Sequence, residues 1–143
     1  MRITTQTEYA VRSLVHLVGL DKPISVSTLA SREGLSRDYV EQIMIRMRRT
    51  GLVKSFRGVQ GGYMLARKPE AITIGNILSS VEDRAVFEAP CDQPLKGCKG
   101  QDNCNLGSIW QTISIHVVDA FSRVTLLDAW KATNDRLPRL DIQ

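Results

Sequence analysis

Residues 36–66 read SRDYVEQIMIRMRRTGLVKSFRGVQGGYMLA, and the order of apolar, polar and glycine positions in this stretch decides the fold. Ser36 is placed to cap a helix from Arg37 to about Thr50, in which Val40, Ile43, Met44 and Met47 stand at i, i+3, i+4 and i+7 and form one apolar stripe. The other side carries Arg37, Asp38, Glu41, Gln42, Arg46 and Arg49, long polar side chains that suit either a solvated face or the edges of bases and phosphates. Gly51 stops the helix, Leu52–Phe56 reads as a strand, Arg57–Gly62 as a glycine-rich turn and Tyr63–Ala66 as a returning strand. The stretch therefore predicts a helix followed at once by a basic hairpin.

Working outward, the segment Thr5-Gln6-Thr7-Glu8 has the spacing of a capping box and opens a helix to about Leu20, with Asp21-Lys22-Pro23 ending it. A short helix follows Ser25 through Val26, Leu29 and Ala30 to Gly34. Two short helices, the second with a polar outer face, then a basic hairpin, describe a winged helix-turn-helix. In such a fold the start of the second helix reads base edges in the major groove. Arg57 at the wing tip suits the negative potential of a minor groove, and its glycine neighbours, Gly58 among them, let the backbone approach closely.

Downstream, Thr73 caps a fourth helix with Ile74, Ile77, Leu78 and Val81 on one face. From Arg84 to Asn103 periodicity is lost among Pro90, Pro94, Gly97 and Gly100. A long helix from about Asn105 to Val124 follows, apolar at Leu106, Ile109, Ile113, Val117, Ala120, Phe121 and Val124. One chain of 143 residues offers little to cover that stripe, so the same helix of a second copy is the expected partner. Thr125-Leu126-Leu127-Asp128 reads as a fresh cap for a short helix through Trp130, with a loose tail from Asn134 onward. The expected fold is mainly α with one small β-hairpin. Its expected parts are a winged helix-turn-helix over 1–82, a cysteine-rich loop over 83–104, a dimerisation helix with a short terminal helix over 105–132, and a tail over 133–143.

Charge is divided along the chain. Up to residue 80 twelve basic side chains face six acidic ones, whereas beyond it seven face nine, within a net charge of +4. A basic first half suits a polyanion, here double-stranded DNA. The first apolar run is too short for a membrane span and carries Glu8 and Arg12 where a secretory signal would be apolar, so no membrane partner and a cytoplasmic setting are expected. No nucleophile–base pairing, phosphate loop or catalytic histidine motif points to an enzyme.

The three cysteines, Cys91, Cys98 and Cys104, all fall inside the irregular stretch with spacing C-x6-C-x5-C. In a reducing compartment an odd, clustered set argues for a soft metal centre or a redox sensor over disulfides. The absence of tight CxxC knuckles argues against structural zinc, while iron-sulfur clusters tolerate wider spacings. A zinc- or thiol-based regulator and a small iron-sulfur electron carrier stay open as alternatives, the last having no use for the basic helix and hairpin.

The combination of TEYAVRSLVHL near the start, DYVEQIMIRMRRTGLVKSFRGVQGGYMLARKPEAITIGNIL, the three spaced cysteines and VTLLDAW near the end resembles the Rrf-type family of bacterial winged-helix regulators. That resemblance covers nearly the whole chain. It implies a homodimeric transcription factor, often a repressor, whose DNA affinity changes with a bound 2Fe-2S or 4Fe-4S cluster. It further implies that Tyr39, Glu41 and Gln42 read the major groove with Arg37 beside them, that Arg57, Gly58 and Gln60 form the DNA-facing wing, and that Cys91, Cys98 and Cys104 are cluster ligands. The DYVEQ and RGVQGGY segments resemble the IscR branch, in which a histidine three residues after the last cysteine is the fourth ligand. Here that position is Gly107, which has no donor. The NsrR branch takes a carboxylate from the partner's first helix, and the matching residue is Glu8; RirA-like use of three thiolates with an exchangeable fourth ligand is the other option.

Overall fold

The structure is a computed structural model that describes residues 3–83 and 106–136. In order, it contains α1 (Thr5–Val15), α2 (Val26–Glu33), α3 (Arg37–Arg49), β1 (Val53–Phe56), β2 (Gly62–Leu65), a 3-10 turn at Pro69–Ala71, α4 (Ile74–Val81), α5 (Gly107–Arg123) and α6 (Leu126–Arg136). This is the expected winged helix-turn-helix with a long helix after it.

The stripes expected of α3 and α4 find their core, while much of that expected of α5 stays exposed. Val40, Ile43, Met44 and Met47 of α3 are all fully buried, together with Leu14 of α1 and Leu29 of α2. Ser25 and Ser36 cap α2 and α3 by accepting from the amides of Thr28 and Tyr39, and Gly34 closes α2 in the left-handed conformation (φ 66°). The antiparallel pair runs from Val53 opposite Leu65 to Phe56 opposite Gly62. It is extended by an isolated bridge in which Ile24 and Tyr63 exchange both backbone hydrogen bonds, at 3.1 and 2.9 Å.

Three readings change. The cap of α1 is Thr4, whose hydroxyl accepts from the Thr7 amide at 3.2 Å, one residue ahead of the expected Thr5. Glu8 therefore plays no part in a capping box; it is exposed and lies 3.8 Å from Arg12 one turn on. Next, α1 ends at Val15 and residues up to Leu20 form tight i to i+3 turns, with Gly19 at φ 78°. Finally, α6 continues past Trp130 to Arg136, because nothing in KATNDR breaks a helix before Pro138.

The second half of the chain is fastened to the first through α6. Leu126 N donates to Ile72 O and Ile74 N to Val124 O, both at 2.8 Å, and the Leu126 side chain is fully buried in the common core. Thr125 and Asp128 form a reciprocal box, the Thr125 hydroxyl accepting from the Asp128 amide at 3.2 Å and Asp128 Oδ2 accepting from the Thr125 amide at 2.9 Å. Leu126→Ala should destabilise the protein by about 2–5 kcal/mol through lost burial and a residual cavity, measurable by urea denaturation. Hydrogen bonds from the Thr125 hydroxyl and amide hold the Asp128 carboxyl below the usual carboxylate range. The stabilisation is thus present above the unfolded carboxyl's range and lost as pH falls through the depressed folded value. Asp128→Ala should lower the Tm at neutral pH, and that difference should shrink at strongly acid pH.

Candidate nucleic-acid interface

With its buried stripe fixed against the core, α3 presents Asp38, Gln42, Ile45 and Arg49, at spacings of four, three and four, along the opposite side. Gln42, Asp38 and Arg49 are exposed and Ile45 is half-buried; Arg37 is exposed at the first turn, where the helix's amides point outward. Glu41 is half-buried on the flank nearer the wing. Tyr39 lies on the other flank, half-buried, its ring held edge-on by Tyr9 of α1 with centroids 6.2 Å apart and planes at 87°.

The wing stands beside this helix. Arg48 Nη1 of α3 donates to the Ser55 hydroxyl of β1 at 3.3 Å, which ties the recognition helix to the hairpin. By pleat alternation Lys54 and Phe56 share the outer face, with the Lys54 ammonium 5.5 Å from the Phe56 ring centroid. At the tip Gly61 N donates to Gly58 O at 3.0 Å, leaving Arg57, Gly58, Val59 and Gln60 exposed. Glycine is required at the foot of this loop: a Cβ at Gly62 (φ 151°) would collide with the Ile24 carbonyl, and one at Gly61 with the Phe56 carbonyl. Tyr63 is buried there, and burial pushes its phenol above the ordinary value, so it serves as an uncharged anchor.

Two basic residues of the region are turned to other work. Arg46, read from sequence as a side chain for bases or phosphates, donates to Val81 O at 2.9 Å and to Asp83 Oδ1 at 2.8 Å, away from the wing. Arg67 donates to Thr50 O at 3.1 Å and Gly51 O at 3.2 Å, satisfying carbonyls at the end of α3. Sequence reasoning in turn passed over Ile45, Arg48, Lys54 and Phe56, which the helical and pleated registers would have placed beside Gln42 and Arg57.

Of the residues expected to hold a cluster, Cys91, Cys98 and Cys104 lie outside the described residues. Glu8 is on the first turn of α1 with its side chain 63% exposed. Gly107 opens α5 and is buried. Among the described residues no three His, Cys, Asp or Glu side chains converge as a metal site. His116 is exposed on α5. His16 Nε2 and Arg12 Nε each lie 2.6 Å from the carboxylate of Glu33, whose side chain is 4% exposed, so His16 helps tie α1 to α2.

A family model for Rrf2, described as an iron-dependent transcriptional regulator, matches residues 3–132. The chain is 35% identical over 128 residues to the HTH-type transcriptional regulator IscR of Pectobacterium carotovorum subsp. carotovorum (strain PC1), covering 88% of this chain and 77% of that one. It is likewise 35% identical over 130 residues to the IscR of Yersinia enterocolitica serotype O:8, covering 90% and 78%. Among solved structures, T. potens IscR superimposes with a TM-score of 0.73 at 29% identity, over 97% of this chain and 93% of that one. The global cysteine regulator CymR of B. subtilis does so with a TM-score of 0.73 at 28% identity, over 92% and 98%. These relatives are transcriptional regulators, not enzymes.

Arg57, exposed at the wing tip, gives the expectation of a DNA-facing wing a direct test. Arg57→Ala should weaken binding to duplexes with A/T-rich flanks and reduce the slope of log affinity against log salt by about one. Titration of fluorescent duplexes at several salt concentrations checks this, and an unchanged slope would count against Arg57 as a DNA contact.

Proposed function

Because the chain belongs to the Rrf2 family of transcriptional regulators, we propose that it acts as a homodimeric, operator-binding repressor whose affinity for DNA is set by an iron-sulfur cluster. The observation that carries this reading is the exposed stripe of α3 standing beside a basic wing, in the same chain as three clustered cysteines. Helix α3 lies in the major groove in this reading, with Tyr39, Glu41 and Gln42 toward base edges, Arg37 beside them, and the wing residues Arg57, Gly58 and Gln60 in the adjacent groove.

The second copy is supported by α5. Leu106, Ile109 and Ile113 are 54%, 51% and 39% exposed, an apolar surface on one side of a helix that packs within its own chain chiefly on α4. Pairing α5 with α5 of a second copy covers that surface and sets two copies of α3 about one DNA turn apart, about 34–36 Å or a multiple of it.

The donor set suits the cluster. Three thiolates are the ligands such clusters take, and Gly107 leaves the fourth position to another residue. Glu8 fits that vacancy in chemistry and freedom: Thr4 supplies the cap of α1, so the helix does not need the Glu8 carboxylate, and its side chain is exposed. Cys91, Cys98 and Cys104, with the partner subunit's Glu8, would hold a 2Fe-2S or 4Fe-4S cluster, whose chemistry when bound is sensitivity to iron supply, oxidation and nitric oxide. The chain's own part is to join the cysteine segment to α4 on one side and to α5 on the other.

The likeness to a global cysteine regulator favours one second reading, a cluster-free regulator that uses its thiols directly. Anaerobic purification with iron and sulfide counting separates the two. Cys98→Ala should abolish visible cluster absorbance while the protein still elutes as a dimer; retained absorbance with an unchanged DNA response would sink the cluster reading. Glu8→Ala should leave the apoprotein's DNA affinity intact and shorten the lifetime of the cluster in air.

A further inference from the structure

Residues 81–83, the end of α4 and the two positions after it, are grasped from two directions. From the middle of α3, Arg46 Nη1 donates to Val81 O at 2.9 Å and to Asp83 Oδ1 at 2.8 Å. From the start of α1, the hydroxyls of Thr4 and Thr7 both donate to Glu82 Oε1. The hydroxyls of Thr50 and Ser80, 2.8 Å apart, add a tie between the end of α3 and α4. Eight residues after Asp83 comes Cys91, so this clasp sits at the entry to the cysteine segment.

The two arms of Arg46 differ in kind. Its bond to Val81 O satisfies a carbonyl that the end of α4 leaves without an intrahelical donor, and a cation there suits the helix dipole. The ion pair with Asp83 joins side chains that are 36% and 83% exposed, where solvent screens it and it adds little to stability. The clasp is thus firm at the helix end and easily disturbed at Asp83. Arg46 also follows Gln42 by one turn on a single 13-residue helix, so a displacement of Arg46 moves Gln42 and Arg49 with it.

We propose that Arg46 is a positioning residue that transmits the state of the cysteine segment to the recognition helix, through Asp83 and the end of α4; this rests on the cluster-controlled repressor described above. Its contribution is to the difference between two protein states and not to DNA contact, because its guanidinium faces α4.

The test compares DNA affinity of the anaerobically loaded and cluster-free full-length protein, using an operator selected from a random duplex library. Wild type is expected to show a ratio between the two forms of about five- to 150-fold. In Arg46→Gln, and in Asp83→Asn, which spares the bond to Val81, that ratio should fall at least threefold toward one while cluster absorbance stays at the wild-type level. A wild-type ratio retained in both variants overturns the proposal. So does loss of the ratio together with loss of absorbance, which would make these residues keepers of the cluster. Equal weakening of both forms with the ratio preserved would mean a merely structural role and also overturns it. A wild-type protein with no cluster absorbance, or with a ratio of one, sinks the cluster-controlled reading itself and this inference with it.

Discussion

The interface depends on one backbone pairing, the two hydrogen bonds exchanged by Ile24 and Tyr63. A two-stranded hairpin of four-residue strands is marginal in water, and the wing has no second face of its own to bury. By adding Ile24 as a third line of backbone, the bridge joins the hairpin to the connection between α1 and α2. This requires the chains to approach so closely that no Cβ fits at Gly62. Buried, uncharged Tyr63 closes the junction. Wing and helix-turn-helix then present Arg57 and Gln42 as parts of one surface.

Around that junction α3 is held on every side except the one that faces outward. Its apolar stripe is buried, its Tyr39 flank rests on Tyr9 of α1, its Arg48 flank reaches Ser55 of the wing, and Arg46 reaches the end of α4. A helix so constrained cannot rotate to offer different residues without breaking several contacts at once. It can still shift as a body with whatever it is attached to. Preorganisation of this kind lets a reading helix lose little freedom on binding DNA.

The residues that made the fold legible were those with a local physical signature. The stripe Val40, Ile43, Met44 and Met47, the capping residues Ser25, Ser36 and Thr73, and the glycines of the turn each dictate their own neighbourhood, and the structure has them where periodicity put them. Legibility failed where distant parts of the chain compete for a side chain. Thr4 displaced Thr5 as the cap of α1, since Thr7 faces the core and its hydroxyl is taken by Glu82, more than seventy residues away. Arg46 looked like a DNA contact because nothing in its own helix reveals Val81 or Asp83. For the site, the ligand roles proposed for Glu8 and the thiolates came from the resemblance of TEYAV and the spaced cysteines to a known family, because no local periodicity or capping signal marks a ligand.

The location of exposed apolar surface limits how such a protein can be switched. The core of the winged domain is close-packed, with Leu14, Ile43 and Ile77 fully buried, and interiors of this kind resist continuous deformation. A coupling of about 1–3 kcal/mol, typical between linked sites, is too small to repack it. The uncovered residues of α5, Leu106, Ile109 and Ile113 among them, are where the proposed second copy would pack, and relative placement of whole domains about such a contact responds to small energies. The cysteines enter the chain between α4 and α5, between the element that braces α3 and the element that carries the uncovered apolar residues. Under the proposed function, a cluster held there would bias the separation and tilt of two otherwise rigid readers without altering any residue of the exposed stripe of α3.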